Sequence, residues 1–65
     1  MTLSNTVLEN STIVYAEVEF VKNGLRYIMP FGTKAPNKFQ DIIGETNQER
    51  EQYCLQLAQA KHDSI

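Results

Sequence analysis

Between residues 13 and 31, apolar side chains recur at every second position on either side of Asn23-Gly24. Strict alternation of this kind marks a strand, because successive side chains point to opposite faces. Asn-Gly between two such runs marks a two-residue type I′ turn, in which both central residues need φ > 0. Asn and Gly tolerate that conformation best, so Gly24→Val should destabilise and Asn23→Gly should be accepted.

A two-residue loop fixes the register. Lys22 faces Leu25, Val21 faces Arg26, Phe20 faces Tyr27, Glu19 faces Ile28 and Val18 faces Met29. One face then collects Val14, Ala16, Val18, Phe20, Leu25, Tyr27, Met29 and Phe31, all apolar or aromatic. The other collects Ile13, Tyr15, Glu17, Glu19, Val21, Arg26 and Ile28, with Arg26 diagonal to Glu19. A slip of one residue would exchange the faces, so turn chemistry and hydrophobic pattern support each other.

The pattern changes period after Thr46. Thr46-Asn47-Gln48-Glu49 has the form of a capping box, in which Thr and Glu each satisfy a backbone N–H of the other's residue. Residues 47–62 contain no Gly or Pro, and Tyr53, Cys54, Leu57, Ala58 and Ala60 share one helical face. Leu55 falls off that face, while Gln48, Gln52, Gln56 and Gln59 line another side.

Between strand and helix, Pro30 belongs near a strand end because it cannot donate to a ladder. Residues 32–38 read as a loop. Phe39, Ile42 and Ile43, followed by Gly44, have the spacing of a short helical turn. Residues 1–12 read equally as a third strand through Thr2, Leu3, Thr6, Val7 and Leu8 or as a frayed end, and residues 62–65 as a frayed tail. The expectation is one α+β domain. An antiparallel hairpin or three-stranded meander, a helical turn and a C-terminal helix pack with Phe20, Tyr27, Met29 and Phe31 against Phe39, Ile42, Tyr53 and Leu57.

Size narrows the options. A chain of 65 residues buries only about 60% of its extended surface on folding, and domains this small gain from association. The single cysteine, Cys54, excludes an intrachain disulfide. With one histidine beside it, a Cys/His zinc site within the chain is not expected. Residues 1–12 lack the basic and apolar parts of a leader, and no run has the length of a membrane span, so the expected location is cytoplasmic without membrane contact.

The net charge is −2, but it is unevenly spread: residues 1–21 carry −3, residues 22–38 carry +4 and residues 39–65 carry −3. Lys22, Arg26, Lys34 and Lys38 make up the basic zone, interleaved with Tyr27, Phe31 and Phe39. Basic ribbons with aromatic residues can bind nucleic acid. Four charges give a weak phosphate contribution, however, and the flanking acids oppose it. The run from Ile28-Met29-Pro30 to Ile42-Ile43-Gly44 resembles swapped-hairpin transcription regulators in outline, with different spacing and few basic residues. No function follows from that outline alone.

Catalytic constellations are weak. His62, Asp63 and Ser64 are the residue types of a triad, but they are consecutive, and triad members converge from separate places in a fold. Cys54 stands eight residues before His62 on one helix, about 12 Å away along the axis. Gly24, Gly32 and Gly44 match no phosphate-binding loop. The sequence therefore points to a non-catalytic interaction or regulatory protein with no cofactor. Its expected partner is another protein or a second copy in a homodimer, with nucleic-acid binding through residues 22–38 as the alternative. The candidate surface is Tyr15, Glu17, Glu19, Arg26 and Ile28 on the mixed sheet face, together with Lys34 and Lys38 in the loop.

Overall fold

The computed structural model describes residues 1–32 and 41–65. Strands β1 (Thr2–Glu9), β2 (Thr12–Lys22) and β3 (Leu25–Gly32) form an antiparallel meander in the order β1-β2-β3, followed by helix α1 (Asn47–Ser64). The α+β architecture is the expected one, with the third strand formed. The β2–β3 register is also as expected, from Lys22 opposite Leu25 to Val18 opposite Met29 and on to Ala16 opposite Phe31. Asn23 and Gly24 have φ of 54° and 78°, as a type I′ turn requires. Asn10 (φ 51°) and Ser11 (φ 65°) repeat that geometry between β1 and β2.

Two irregularities shape the sheet. Asn5 is an extra residue on β1 between Ser4, opposite Glu17, and Thr6, opposite Ala16. Val14 is an extra residue on β2, since Val7 faces Tyr15 and Leu8 faces Ile13. Each is a β-bulge, and each shifts the alternation by one. The bulge at Val14 overturns the assignment of Ile13 to the mixed face. Ile13 turns inward and is buried with Ala16 and Val18, while Val14 is only half-buried.

The same bulge re-aims the Ile13 backbone. Ile13 and Leu8 lie one step from the two-residue turn, in a pair that exchanges no hydrogen bonds, so the Ile13 N–H and C=O point toward the β3 side. Among the described residues β3 runs to Gly32, opposite Tyr15, and offers them no partner. Helix α1 supplies one. Asn47 Oδ1 accepts from Ile13 N–H (3.0 Å), Asn47 Nδ2 donates to the Ser11 carbonyl (2.9 Å), and Arg50 Nε donates to the Ile13 carbonyl (2.7 Å). Arg50 also donates from Nη1 to the Gly44 carbonyl (3.1 Å). Two helix side chains therefore complete the ladder where the strand stops.

The helix begins as expected, with Glu49 N–H donating to Thr46 Oγ1 (3.1 Å) and Thr46 N–H donating to Glu49 Oε1 (3.0 Å). Its contact line is rotated from the expected one. Cys54 and Ala58 are fully buried, with Tyr53 and Leu57 on one flank and Leu55 on the other. Leu55 therefore joins the core it was expected to miss, and Ala60 is exposed. The small side chains face the sheet and the larger ones straddle them, which brings the helix axis close over β2 and, at its margin, β1.

The core joins Ile13, Ala16, Val18, Phe31, Ile42, Cys54 and Ala58, with Leu3, Met29, Tyr53, Leu55 and Leu57 packed against it. Phe20 stacks on Tyr27 at 5.0 Å and meets the His62 ring edge-on at 5.3 Å. Leu25, assigned to the covered face, lies beyond the helix and is exposed. Lys22 shares that side and donates to the His62 carbonyl, placing a cation at the negative end of the helix. Residues 41–44 have no regular secondary structure, so the described part of the expected helical turn is irregular; Phe39 lies outside the described residues.

Candidate functional site

Because α1 covers one side of the sheet, Tyr15, Glu17, Glu19, Val21, Arg26 and Ile28 are left together on the other, as their parity on β2 and β3 dictates. β1 adds Val7 to this outer face opposite Tyr15. Lys34 and Lys38 lie outside the described residues. Val7, Val21 and Ile28 are exposed at 43%, 62% and 47%, values that belong to uncovered apolar positions rather than to a core.

Glu17 is the most constrained group on the face. Its Oε2 accepts from the Tyr15 hydroxyl at 2.5 Å, and its Oε1 accepts from Asn5 Nδ2 at 2.9 Å. Tyr15 reaches it because residues two apart on a strand share a face. Asn5 reaches it through the β1 bulge, where φ is 49°, a left-handed conformation that Asn tolerates. No alternation pattern would have found Asn5, since its role depends on an irregularity in the partner pairing.

The electrostatics follow from these bonds. The Tyr15 hydroxyl, then Asn5, hold the Glu17 carboxyl below its ordinary range. Reciprocally, the bond to Glu17, followed by burial and the carboxylate charge, pushes Tyr15 up from 10.0 to about 12. A phenol whose pKa rises on folding contributes stability below about pH 10, and that contribution is lost as the pH climbs through about 12. Of the three tyrosines, Tyr15 is therefore expected to ionise near 12. Glu17→Gln should bring it back toward 10.0. Absorbance titration of tyrosinate, with Tyr15→Phe as the control, checks this; a Tyr15 that is insensitive to Glu17→Gln would contradict the assigned bond.

Arg26 and Glu19 form the expected diagonal ion pair. Both Lys22 and Arg26 are thus engaged inside the chain, one on a helix carbonyl and one on a carboxylate. Glu17 meets no cation among the described residues. Its two neutral donors leave the carboxylate charged and directed.

Among the described residues, the remaining reactive residue types do not converge. His62 Nδ1 lies 3.2 Å from Asp63 Oδ1, but Ser64 Oγ donates to the Lys61 carbonyl (2.9 Å). Cys54 is buried in the core, and burial pushes its thiol up, with Arg50 opposing in part. Among the described residues no group of three or more His, Cys, Asp or Glu comes together to hold a metal. No described helix is long and apolar enough to cross a membrane. A cavity of about 310 Å³ is bordered by Val14, Gly32, Asp41, Ile42 and Arg50. Arg50, the cation among its described lining residues, is already bound to the Ile13 and Gly44 carbonyls.

Scans of family models, curated proteins and solved structures find no match to this chain.

Proposed function

We propose that this chain is a small non-catalytic interaction protein that works as a homodimer and binds a protein partner on its outer sheet face. The observation that supports this reading is the one-sided cover of the sheet. The face away from α1 keeps Val7, Val21 and Ile28 exposed around a preset carboxylate, Glu17. Apolar positions ringed by oriented polar groups are the composition of a contact surface. A charged carboxylate held by neutral donors favours a partner that brings a basic side chain to it.

The test is a photo-crosslinking side chain placed at Val7 or Val21 on the face, and at Gln56 on the exposed helix side, in the host cell. The reading expects one protein to be captured from both face positions and not from the helix position, with capture reduced by Glu17→Lys. Equal capture from the helix side would remove the outer face as the site. Salt-sensitive binding to DNA, lost with Lys34→Glu plus Lys38→Glu, would replace this reading with the nucleic-acid alternative.

A further inference from the structure

We infer that the two copies join through the outer edge of β3, which adds antiparallel to itself and makes one continuous six-stranded sheet. This rests on the homodimer reading above and adds where the copies meet.

Three observations lead to that edge. First, β1 and β3 are the two edges of the sheet, and they differ. β1 is broken by the bulge at Asn5, a device that blunts an edge, whereas β3 pairs with β2 without a shift from Leu25 to Gly32. Second, α1 sits over β2 and the margin of β1. β3 is thereby left with Leu25 exposed, Tyr27 and Met29 only half-buried on the helix side, and Ile28 exposed on the other. Among the described residues, this strand has unfinished apolar cover on both faces and no lateral neighbour on its outer edge.

Third, the backbone is self-complementary. Lys22 and Leu25 flank the two-residue turn and exchange hydrogen bonds, so Phe20–Tyr27 and Val18–Met29 do too. Arg26, Ile28 and Pro30 alternate with them and point their polar backbone groups outward. Pro30 thus stands where its missing N–H costs the sheet nothing. An antiparallel copy centred on Ile28 exchanges both Ile28 N–H to Ile28 C=O bonds. It also lets each Arg26 N–H donate to the other copy's Pro30 carbonyl. The same register sets Ile28 beside Ile28 on the outer face and Tyr27 beside Met29 on the helix side, an aromatic–thioether pairing in both halves. β3 carries no acid and only Arg26, whose charge Glu19 already balances, so two copies do not repel along the edge. A single strand edge buries less than the roughly 800 Å² per partner of a standard interface, which places the association in the weak, reversible class.

Sedimentation velocity and amide hydrogen exchange on the full chain, each read across protein concentration, test the inference. The expected result is a reversible dimer in which the Arg26 and Ile28 amides slow as concentration rises. The Phe20 and Tyr27 amides, bonded to each other within the hairpin, should not change. Ile28→Lys, which sets two ammonium groups against each other at the centre of the edge, should lose the dimer while keeping the wild-type circular dichroism. If that variant misfolds, the wild-type amides decide. A dimer whose Arg26 and Ile28 amides stay fast at every concentration, and which dissociates with Tyr15→Ala plus Glu17→Lys, overturns the edge and keeps the homodimer. A chain that stays monomeric at high micromolar concentration overturns both.

Discussion

Gly32→Ala is expected to unfold the protein at ambient temperature. Gly32 has φ of +116°, a region that L side chains rarely adopt. A Cβ there would lie 2.2 Å from the Val14 carbonyl oxygen, 2.9 Å from Tyr15 Cα and 3.0 Å from the Val14 carbonyl carbon. All three are backbone atoms in the bulged stretch of β2, so none can swing aside as a flexible side chain would. Backbone strain of this kind costs about 1–3 kcal/mol before any clash is counted. A 65-residue domain has only about 3–10 kcal/mol in total at typical values per residue. Circular dichroism and urea denaturation would report the loss. Gly24 is the informative comparison. Its φ is +78° and a Cβ there would meet nothing within 4 Å, so Gly24→Ala should cost only conformational strain, about 1–2 kcal/mol. If the two variants melt together, the close approach of Gly32 to Val14 is wrong.

Phe31→Ala should be comparably severe. Phe31 is 2% exposed and lies directly across from Ala16, which is 0% exposed. The small residue makes room for the ring, and Val18, Ile42 and Cys54 belong to the same cluster. Truncating a buried phenylalanine costs about 3–5 kcal/mol, because lost transfer energy adds to the cavity left behind. Neither Ala16 nor Cys54 is large enough to refill that space. A denaturation midpoint within a few tenths of a molar of wild type would mean that the ring is not where the core needs it. Ala16→Val in the Phe31→Ala background should recover part of the loss, because it returns volume to the same cross-strand position.

The hairpin was legible because two independent signals coincide. Asn23-Gly24 sets the turn, and the alternation through Val18, Phe20, Tyr27 and Met29 sets the faces; either one alone would leave a one-residue slip open. The helix start was legible for a similar reason, since Thr46 and Glu49 form a reciprocal pair written in local sequence. What escaped the reading was non-local. Val14 and Asn5 are ordinary strand and turn residues in the sequence, and only the pairing across strands makes them bulges. Ile13 therefore changed faces, and Asn5 acquired a bond to Glu17 that parity could not reveal. Within the expected helix face, Cys54 and Ala58 became the centre and Tyr53 and Leu57 a flank, with Leu55 added and Ala60 lost, because hydrophobic size alone does not say which side lies closest to a sheet. Asn47 and Arg50 carry no signal in the helix pattern, because their partners are backbone groups made available by the pairing of the strands. Of the candidate site, Tyr15, Glu17, Glu19, Arg26 and Ile28 were found by parity alone, and their shared face follows from an unbroken register between β2 and β3.

The clasp of Asn47 and Arg50 on Ile13 also sets a schedule for synthesis. The residues that satisfy the open end of the first hairpin follow it by 34 and 37 positions, and the carbonyl that receives Lys22 follows by 40. On a ribosome, the open end of the first hairpin cannot settle until Asn47 and Arg50 have emerged. The meander and the helix should therefore fold as one unit, and removing residues 47–64 should leave the meander without a finished structure of its own.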